Sequence, residues 1–156
     1  MTRPAITYRP ALPSDQAWLF ALKIATMRDY VAAVYGWDEE VQRRMFAEKF
    51  DPARLRIIQV DGRDAGLLEV EEKEDHLFLA RIEVLPALQN QGIGSSVIRS
   101  LLAEGGRKKK AVLLQVLRPN PARRLYDRLG FAVSTETTTH YQMRTDPVQT
   151  VSLRHT

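Results

Sequence analysis

The sequence predicts an α/β fold, one domain built on a mixed β-sheet. The apolar runs on either side of Asp61-Gly62 predict a hairpin, because Asp-Gly is a strong turn signal. From Leu77 onward, strand-like runs alternate with helix-like runs. A turn with two glycines, at residues 89–94, separates the first of these strands from the next helix. The chain therefore predicts an antiparallel meander in its middle and alternating strands and helices after it.

The first half of the chain carries signals for two helices and three strands. Ser14 or Asp15 is expected to cap the first helix and Asp38 the second, because short polar side chains accept hydrogen bonds from first-turn amides. Residues 29–35 predict a second, irregular turn, and the charged residues 71–74 predict a segment that extends past the sheet. The predicted elements are a strand at 6–9, a helix from about 16 towards 30, a helix that opens at 37–40 and ends before 51, and strands at 55–60 and 65–70.

The second half predicts alternating strands and helices followed by a hairpin. Pro121 favours a helix start and Gly130 a helix end. The basic run 107–110 follows Gly105-Gly106, which predicts a glycine-capped helix end and a solvated loop. The predicted elements are a strand at 77–85, a helix at 92–104, a strand at 111–117, a helix at 121–129, and strands at 131–135 and 140–144. We predict one domain over residues 1–145 and a polar tail at 146–156.

The composition fits a single intracellular domain. The chain has 156 residues, 44% of them hydrophobic, which is enough to bury one core. It has no cysteine, which excludes disulfides, thiolate metal sites and a cysteine nucleophile and favours a cytoplasmic location. The three histidines, at 76, 140 and 155, form no metal-binding pattern, so no metal is predicted. Residues 1–4 lack the apolar core of a signal peptide, and no membrane association is predicted.

The turn at residues 89–94 predicts an anion site. It has two glycines and no acidic residue, and it lies at the positive end of a helix dipole, where free backbone N–H groups suit a phosphate. A dinucleotide fingerprint would need a third glycine where Val97 stands, and a Walker loop would need a lysine where Ser95 stands. Neither common phosphate loop therefore fits.

A second motif, Asn120 to Phe131, gives this turn a specific interpretation. Together the two motifs resemble the GNAT superfamily of acyl-CoA-dependent N-acetyltransferases, in which such a turn precedes an Asn, Ala, Tyr and Gly-Phe segment by about a helix and a strand. The resemblance is closest over residues 77–131, and residues 6–11 and 141–144 look like the family's first and last strands. It implies a mostly antiparallel sheet with a splayed parallel strand pair at the cofactor cleft and helices on both faces. It also implies acetyl-CoA as the donor, a primary amine as the acceptor and, as in some family members, a homodimer.

The resemblance also implies roles for individual residues. The main chain of Val84 would bind the pantetheine arm and polarise the acetyl carbonyl, and Asn120 would contact the same arm besides capping its helix. Tyr126 is expected to be the general acid, since a phenol with an ordinary pKa of about 10 stays protonated at neutral pH and can protonate the departing thiolate. The amides expected to hold the CoA pyrophosphate are those of Gln89, Asn90, Gln91, Gly92, Ile93, Gly94 and Ser95.

The general base and the acceptor pocket stay open at this stage. Glu83 and Glu69, on neighbouring predicted strands, could each take the amine's proton directly or through a water, although a glutamate on a strand is also an ordinary solvated residue. Arg123 or Arg124 could approach a CoA phosphate, but exposed arginines are commonly without function. The candidates for lining the acceptor pocket are Tyr30, Tyr35, Trp37, His140 and Tyr141.

Several functions are compatible with these predictions. The acceptor could be a small-molecule amine, a protein N-terminus or a lysine side chain, and the lack of cysteine favours direct transfer in a ternary complex. A non-catalytic acyl-CoA-binding or regulatory module of the same fold is an alternative. A basic nucleic-acid-binding domain is a more remote one, because the net charge is only +4 and the run at 107–110 has no aromatic neighbour. We predict no nucleic-acid partner.

Overall fold

The computed structural model describes residues 4–147, which form a seven-stranded mixed sheet and four α-helices. The strands are β1 (Ile6–Pro10), β2 (Leu55–Val60), β3 (Arg63–Glu72), β4 (His76–Val84), β5 (Ala111–Leu117), β6 (Ala132–Glu136) and β7 (His140–Thr145). The helices are α1 (Gln16–Tyr35), α2 (Glu39–Lys49), α3 (Ile93–Lys108) and α4 (Ala122–Arg128). Across the sheet the order is β1-β2-β3-β4-β5-β7-β6. The predicted tail lies outside the described residues from position 148 onward.

The predicted mixed sheet with one splayed parallel pair is confirmed. Within residues 4–147, every neighbouring pair of strands is antiparallel except β4 and β5. These two strands pair only where His76–Leu79 meets Ala111–Leu114. Their remaining residues separate, because β4 continues in register with β3 while β5 continues with β7. A gap therefore opens in the middle of the sheet at the carboxyl ends of β4 and β5.

The predicted placement of helices on both faces is also confirmed. Helices α3 and α4 pack on one face of the sheet, and α1 and α2 pack on the other. The side chains of neighbouring residues in a strand point to opposite faces of the sheet. In β2, Ile58 joins the α3 side and Ile57 the α1 side; in β3, Leu68 and Leu67 divide in the same way. The gap between β4 and β5 is thus bounded by helices from both layers.

A β-bulge in β4 lies next to the point where β4 leaves β5. The pairing of β3 with β4 shifts between Glu69↔Arg81 and Val70↔Leu79, so Ala80 has no partner in β3. A bulged strand bends and twists more strongly than a regular one. Because Leu79 is also the last residue of β4 that pairs with β5, the bulge coincides with the start of the gap.

The bulge also reverses which side chains of β4 face which layer. Before it, Leu77 and Leu79 are buried on the α3 side, whereas beyond it Ile82 and Val84 pack on that side. The odd-numbered residues past the bulge consequently face the α1 and α2 layer. Glu83 is buried on this side with 6% of its surface exposed.

Two details of the predictions for the first two helices are corrected, and one is confirmed. The irregular turn predicted after residue 29 is absent, because α1 runs unbroken to Tyr35 and ends at Gly36 in a positive-φ conformation. Neither Ser14 nor Asp15 caps α1 with its side chain, since the Asp15 carboxylate instead accepts from the Leu12 N–H at 2.7 Å and from Arg9. The Asp38 cap of α2 is confirmed by a 3.1 Å bond from the Val41 N–H to its carboxylate.

The predicted end of α3 is also wrong. Gly105 and Gly106 lie inside the helix, which continues to Lys108, and Lys109 is the left-handed residue that ends it. A Cβ on Gly105 would be 2.8 Å from the Lys110 carbonyl oxygen and 3.1 Å from Val112 Cγ2 in β5. Gly105 therefore serves close packing of α3 against the sheet.

The charged segment predicted to extend past the sheet is partly inside it. Glu71 and Glu72 belong to β3 and pair with β4. The Glu72 carboxylate accepts from Lys108 Nζ at 2.7 Å and from Lys110 Nζ at 3.0 Å. These ion pairs explain why a charged strand end is tolerated there, and they occupy two of the lysines in the basic run.

Gly66 in β3 provides a test of how closely β3 and β4 approach beneath the gap. A Cβ at this position would overlap the Glu83 carbonyl oxygen, so Gly66→Ala must push the two strands apart. We expect this variant to lose about 2–4 kcal/mol of unfolding free energy. Gly106→Ala is the matched control, because nothing lies within 4 Å of its Cβ position; helix propensity predicts a gain of up to about 1 kcal/mol. Urea denaturation measures both, and equal stabilities of the two variants would contradict the packing argument.

Candidate functional site

A cleft of about 690 Å³ opens where β4 and β5 separate. Its walls come from α1, the end of β4, the turn after β4, the first turn of α3, and residues 120–128. The volume lies within the range of small-molecule and cofactor sites. The cleft contains both segments that the sequence motifs single out, although they are about 30 residues apart in the chain.

A second, smaller cavity of about 330 Å³ lies beside the cleft, towards α1 and the β5–β7 side. The residues that line both cavities are Met27, Ile82, Glu83, Asn120 and Tyr126. The two cavities thus meet at the gap in the sheet. Two molecules bound in them would come together at this junction.

The glycine turn is built to expose backbone amides. Gly92 is the residue before α3 and has φ 81°, a conformation that favours glycine. No side chain caps this helix, and the N–H groups of its first turn have no acceptor within the helix. Ile93, Gly94 and Ser95 all line the larger cleft. Their amides and the positive end of the α3 dipole together form an anion cradle at the cleft wall.

Gly94 keeps the cleft wall open. A Cβ at this position would touch only Leu125 Cδ2, at 3.7 Å, and its backbone needs no positive φ. A larger residue could therefore fold here, but its side chain would enter the cleft. Glycine is favoured at position 92 because φ is positive there. At position 94 it leaves the backbone amides accessible from the cleft.

The two glutamines of the turn have different positions. Gln89 lines the cleft, and its side chain donates to the Val84 carbonyl at 2.9 Å, so it ties the turn to the end of β4. Gln91 does not line the cleft, and its side chain donates to the Ala87 carbonyl at 3.3 Å. Asn90 lines the cleft in a left-handed conformation with φ 64°.

The main chain of Val84 points into the gap. The Leu85 N–H donates to the Ala65 carbonyl in β3 at 2.9 Å, and the Glu83 carbonyl lies against Gly66 of the same strand. Backbone groups of successive strand residues point to opposite sides. The Val84 N–H therefore faces away from β3, towards the space that β5 has left.

Tyr126 lies at the junction of the two cavities. It is 8% exposed, and its ring meets Phe131 edge to face with centroids 5.8 Å apart. Burial raises the pKa of Tyr126 to about 12, so its hydroxyl keeps its proton at neutral pH. Asn120 reaches the same junction, and its side-chain oxygen accepts from the Ala122 N–H at 2.9 Å, as expected of a cap.

Glu83 lies at the same junction in an unusual environment. Burial raises its pKa to about 7 against the opposing effects of Arg81 and Lys23, and nearby Glu69 raises it further. Within residues 4–147, its Oε1 atom is buried and has no hydrogen-bond partner. A carboxylate that changes protonation state near neutral pH and faces a cavity suits a proton acceptor.

The structure distinguishes Glu69 from Glu83 as a candidate base, which the sequence could not do. Glu69 lines neither cavity, and its carboxylate accepts from Arg81 Nε at 2.8 Å. Its side chain is 11% exposed against 30% for Arg81. Glu69 therefore positions Arg81, and Glu83 is the carboxylate that reaches the junction.

The remaining sequence candidates divide between the cavities and other places. Tyr30 and Arg124 line the larger cleft, and His140 lines the smaller cavity. Tyr35 and Trp37 line neither. Tyr141 lies between two arginines, with the guanidinium carbons of Arg118 and Arg123 at 4.5 and 4.1 Å from its ring centroid. Arg123 therefore packs on Tyr141 and does not line the larger cleft.

The sequence did not single out Met27, Arg81 or Arg128, although each lines a cavity. No local motif marks them, because their positions depend on the helix packing and on the bulge at Ala80. Within residues 4–147, no group of three or more His, Asp or Glu side chains could hold a metal ion. In the same part of the chain, no helix has the length and apolar character needed to cross a membrane.

A sequence model described as the Acetyltransferase (GNAT) family matches residues 20–131. The chain therefore belongs to the GNAT acetyltransferase family, as the two motifs predicted. A comparison with curated proteins by sequence found no match.

Solved structures show the same fold at low identity. The chain is similar to the PaiA N-acetyltransferase of Thermoplasma acidophilum in complex with coenzyme A, with TM-score 0.73, 17% identity, and coverage of 91% of this chain and 99% of that one. It is also similar to the ribosomal-protein-S18-alanine N-acetyltransferase of Escherichia coli, with TM-score 0.67, 20% identity, and coverage of 96% and 99%. Ard1 of Thermoplasma volcanium gives TM-score 0.66 and 17% identity over 93% and 99% of the two chains.

Proposed function

We propose that this protein transfers an acetyl group from acetyl-CoA to a primary amine in a ternary complex. The observation that carries the proposal is the meeting of Glu83 and Tyr126 where the two cavities join. One cavity has an amide cradle for a phosphorylated donor, and the other has space for an acceptor. The lack of cysteine fits direct transfer in the reducing cytoplasm, where we propose that the protein works. The homodimer that the resemblance allows stays a prediction.

The donor would lie in the larger cleft. Its pyrophosphate would accept hydrogen bonds from the amides at the start of α3, with the side chains of Gln89 and Asn90 at the edge of the cradle. The pantetheine arm would run along the gap beside the Val84 main chain. The Val84 N–H would then donate to the thioester carbonyl and stabilise the oxyanion that develops there. Arg124 lines the cleft and could neutralise a further phosphate.

The acceptor nitrogen would attack the thioester carbonyl carbon from the smaller cavity. As the C–N bond forms, the Glu83 carboxylate would take the proton that the nitrogen loses, because its pKa of about 7 suits both states near neutral pH. When the C–S bond breaks, the Tyr126 hydroxyl would give its proton to the departing thiolate. Solvent would then return both groups to their starting protonation states.

Gly94→Glu tests the donor site. The new carboxylate would enter the anion cradle and repel the pyrophosphate, while the open surroundings of Gly94 allow the chain to fold. We expect the affinity for CoA to fall about 100-fold or more, measured by isothermal titration calorimetry. Gly106→Glu is the matched control, because it adds the same side chain in open space near the other end of α3. Unchanged CoA binding by the Gly94 variant would place the donor elsewhere.

An amine panel tests the reaction itself. Release of the CoA thiol is followed with small amines, a peptide with a free N-terminus and a peptide with an internal lysine. We expect turnover with at least one acceptor class and loss of turnover in Gly94→Glu. CoA binding without turnover on any amine would favour the non-catalytic acyl-CoA-binding module instead.

A further inference from the structure

The smaller cavity has a wall that combines apolar surface with one permanent cation. Met27, Phe78 and Leu117 contribute apolar surface, and Gln115 contributes a neutral polar group. Arg81 is the cation, and it lies on β4 two residues before Glu83. Because the side chains of residues two apart on a strand point to the same face, Arg81 and Glu83 project side by side from backbone positions about 6.5 Å apart.

The guanidinium of Arg81 has donors left for a ligand. Its Nε atom donates to Glu69 Oε1 at 2.8 Å, which fixes its orientation, and its guanidinium carbon lies 5.7 Å from the Phe46 ring centroid. Within residues 4–147, its two terminal nitrogens make no hydrogen bond, and neither is buried. The planar edge formed by these nitrogens matches a carboxylate, which it can bind through two parallel hydrogen bonds.

The charges around the cavity also favour an anionic group on the acceptor. Arg81 and Lys23 are the cations near Glu83, and Glu69 is already paired with Arg81. Burial lowers the pKa of Lys23, which is held over the Phe46 ring with its Nζ 3.4 Å from Gln42 Oε1. A second positive group on the acceptor would lie near Arg81 and be repelled by it. An acceptor with a carboxylate would accept from the Arg81 nitrogens that Glu69 leaves free.

We propose that the acceptor is a small amine that also carries a carboxylate, of the α-amino-acid type, with the carboxylate bound by the terminal nitrogens of Arg81. Its amine then lies between Glu83 and Tyr126, and its side chain lies on the apolar wall formed by Met27 and Phe78. The cavity volume of about 330 Å³ suits a small molecule. This assignment rests on the proposed acetyl transfer and names its substrate class.

Matched acceptors test the assignment directly. The rate constant kcat/KM is measured by CoA thiol release for L-leucine against 3-methylbutylamine and for L-phenylalanine against 2-phenylethylamine, which differ by the carboxylate. A leucine-initiated peptide with an amidated C-terminus is the third kind of probe. We expect the wild-type protein to prefer the amino acid by about ten- to a hundredfold in each pair, as a charged hydrogen-bonded pair predicts.

Variants assign the preference to Arg81. The double variant Arg81→Gln with Glu69→Gln removes the guanidinium group without leaving the Glu69 carboxylate unpaired. We expect its ratio of kcat/KM between amino acid and matched amine to fall to within about threefold of unity. Arg81→Lys keeps a charge but not the planar fork, and it should give an intermediate preference. Arg56→Gln is the control, because Arg56 lies on β2 against Tyr8 and lines neither cavity; its preference should equal that of the wild type.

The outcomes separate this assignment from the proposed function. Turnover of the decarboxylated amines or of the amidated peptide at rates equal to or above those of the amino acids would overturn the carboxylate assignment and leave the transferase intact. A preference for amino acids that survives in both Arg81 variants would also overturn it. A wild-type protein that acetylates the lysine peptide of the amine panel but none of these amines overturns this assignment alone. One that acetylates no amine of either set overturns the transferase and this assignment together.

Discussion

Replacing Tyr126 by phenylalanine is expected to lower kcat by about 100-fold or more, because the variant cannot protonate the departing thiolate. The ring would keep its edge-to-face contact with Phe131, since only the hydroxyl is removed. The affinity for CoA and the melting temperature should therefore stay close to those of the wild type. Activity is measured by CoA thiol release under saturating acetyl-CoA.

Two further measurements separate proton donation from packing. If Tyr126 donates the proton, the loss in Tyr126→Phe should shrink with a thioester whose thiol leaves more readily, because a better leaving group needs less protonation. Phe131→Leu serves as the packing control: it disturbs the same aromatic contact but leaves the hydroxyl, and it should lower stability more than it lowers kcat. Full activity of Tyr126→Phe would exclude Tyr126 as the general acid.

The parts of the site that the sequence could predict are those encoded by contiguous residues. The turn at Gln89–Gly94 and the segment Asn120–Phe131 each contain their own conformational signals: glycines where φ is positive, a cap and an apolar spacing. Their neighbours in the chain fix their local structure. The family's order of elements then brings the two segments to the same cleft.

The way that Arg81 and Glu83 reach the smaller cavity could not be predicted from the sequence, because it depends on a strand irregularity. With regular alternation from Leu77, the side chains of Arg81 and Glu83 would share the face of Leu77 and Leu79 against α3. The unpaired residue Ala80 reverses the alternation and turns both side chains to the α1 layer. A bulge of this kind depends on the pairing of two strands, and the residues Leu-Ala-Arg carry no local signal for it.

The choice between Glu69 and Glu83 required side-chain geometry for a similar reason. Both are glutamates on neighbouring strands with little exposed surface, at 8% and 6%. They differ in their partners, since Glu69 is bound by Arg81 whereas one oxygen of Glu83 has no partner within the described residues. Pairing of this kind depends on the register between β3 and β4, which neither segment specifies alone.

Glu83→Gln is expected to abolish most of the activity and its dependence on pH near neutrality. If Glu83 accepts the proton, kcat/KM of the wild type should rise with pH through about 7, where its carboxyl group ionises. The variant should lose about 100-fold or more in kcat at pH 8, and the remaining rate should no longer rise through pH 7. The groups that act on this ionisation are Arg81 and Lys23, which favour it, and Glu69, which opposes it. A wild-type profile that is flat between pH 6 and 8 would contradict the assignment.

The same substitution should stabilise the fold above neutral pH. If the Glu83 carboxylate instead stabilised the fold, its replacement by glutamine would lower the stability there. Burial raises the pKa of Glu83 from 4.5 to about 7, so the folded protein binds this proton more tightly than the unfolded chain does. The stability that this proton provides is complete below about pH 4.5 and is lost as the pH rises through about 7. Because glutamine cannot ionise, Glu83→Gln should gain on the order of 3 kcal/mol relative to the wild type at pH 8 and almost nothing near pH 4.5.

Urea denaturation of wild type and variant at several pH values measures this difference directly, since all other titrating groups are common to both proteins. Glu69→Gln is the opposite control: it removes the partner of Arg81 and should cost about 1–3 kcal/mol at pH 8. A buried acid that lowers stability where the protein is active is expected at a catalytic position, because function there opposes stability. Equal stabilities of wild type and Glu83→Gln across this pH range would mean that Glu83 is not held in the buried, unpartnered state on which its role as a base depends.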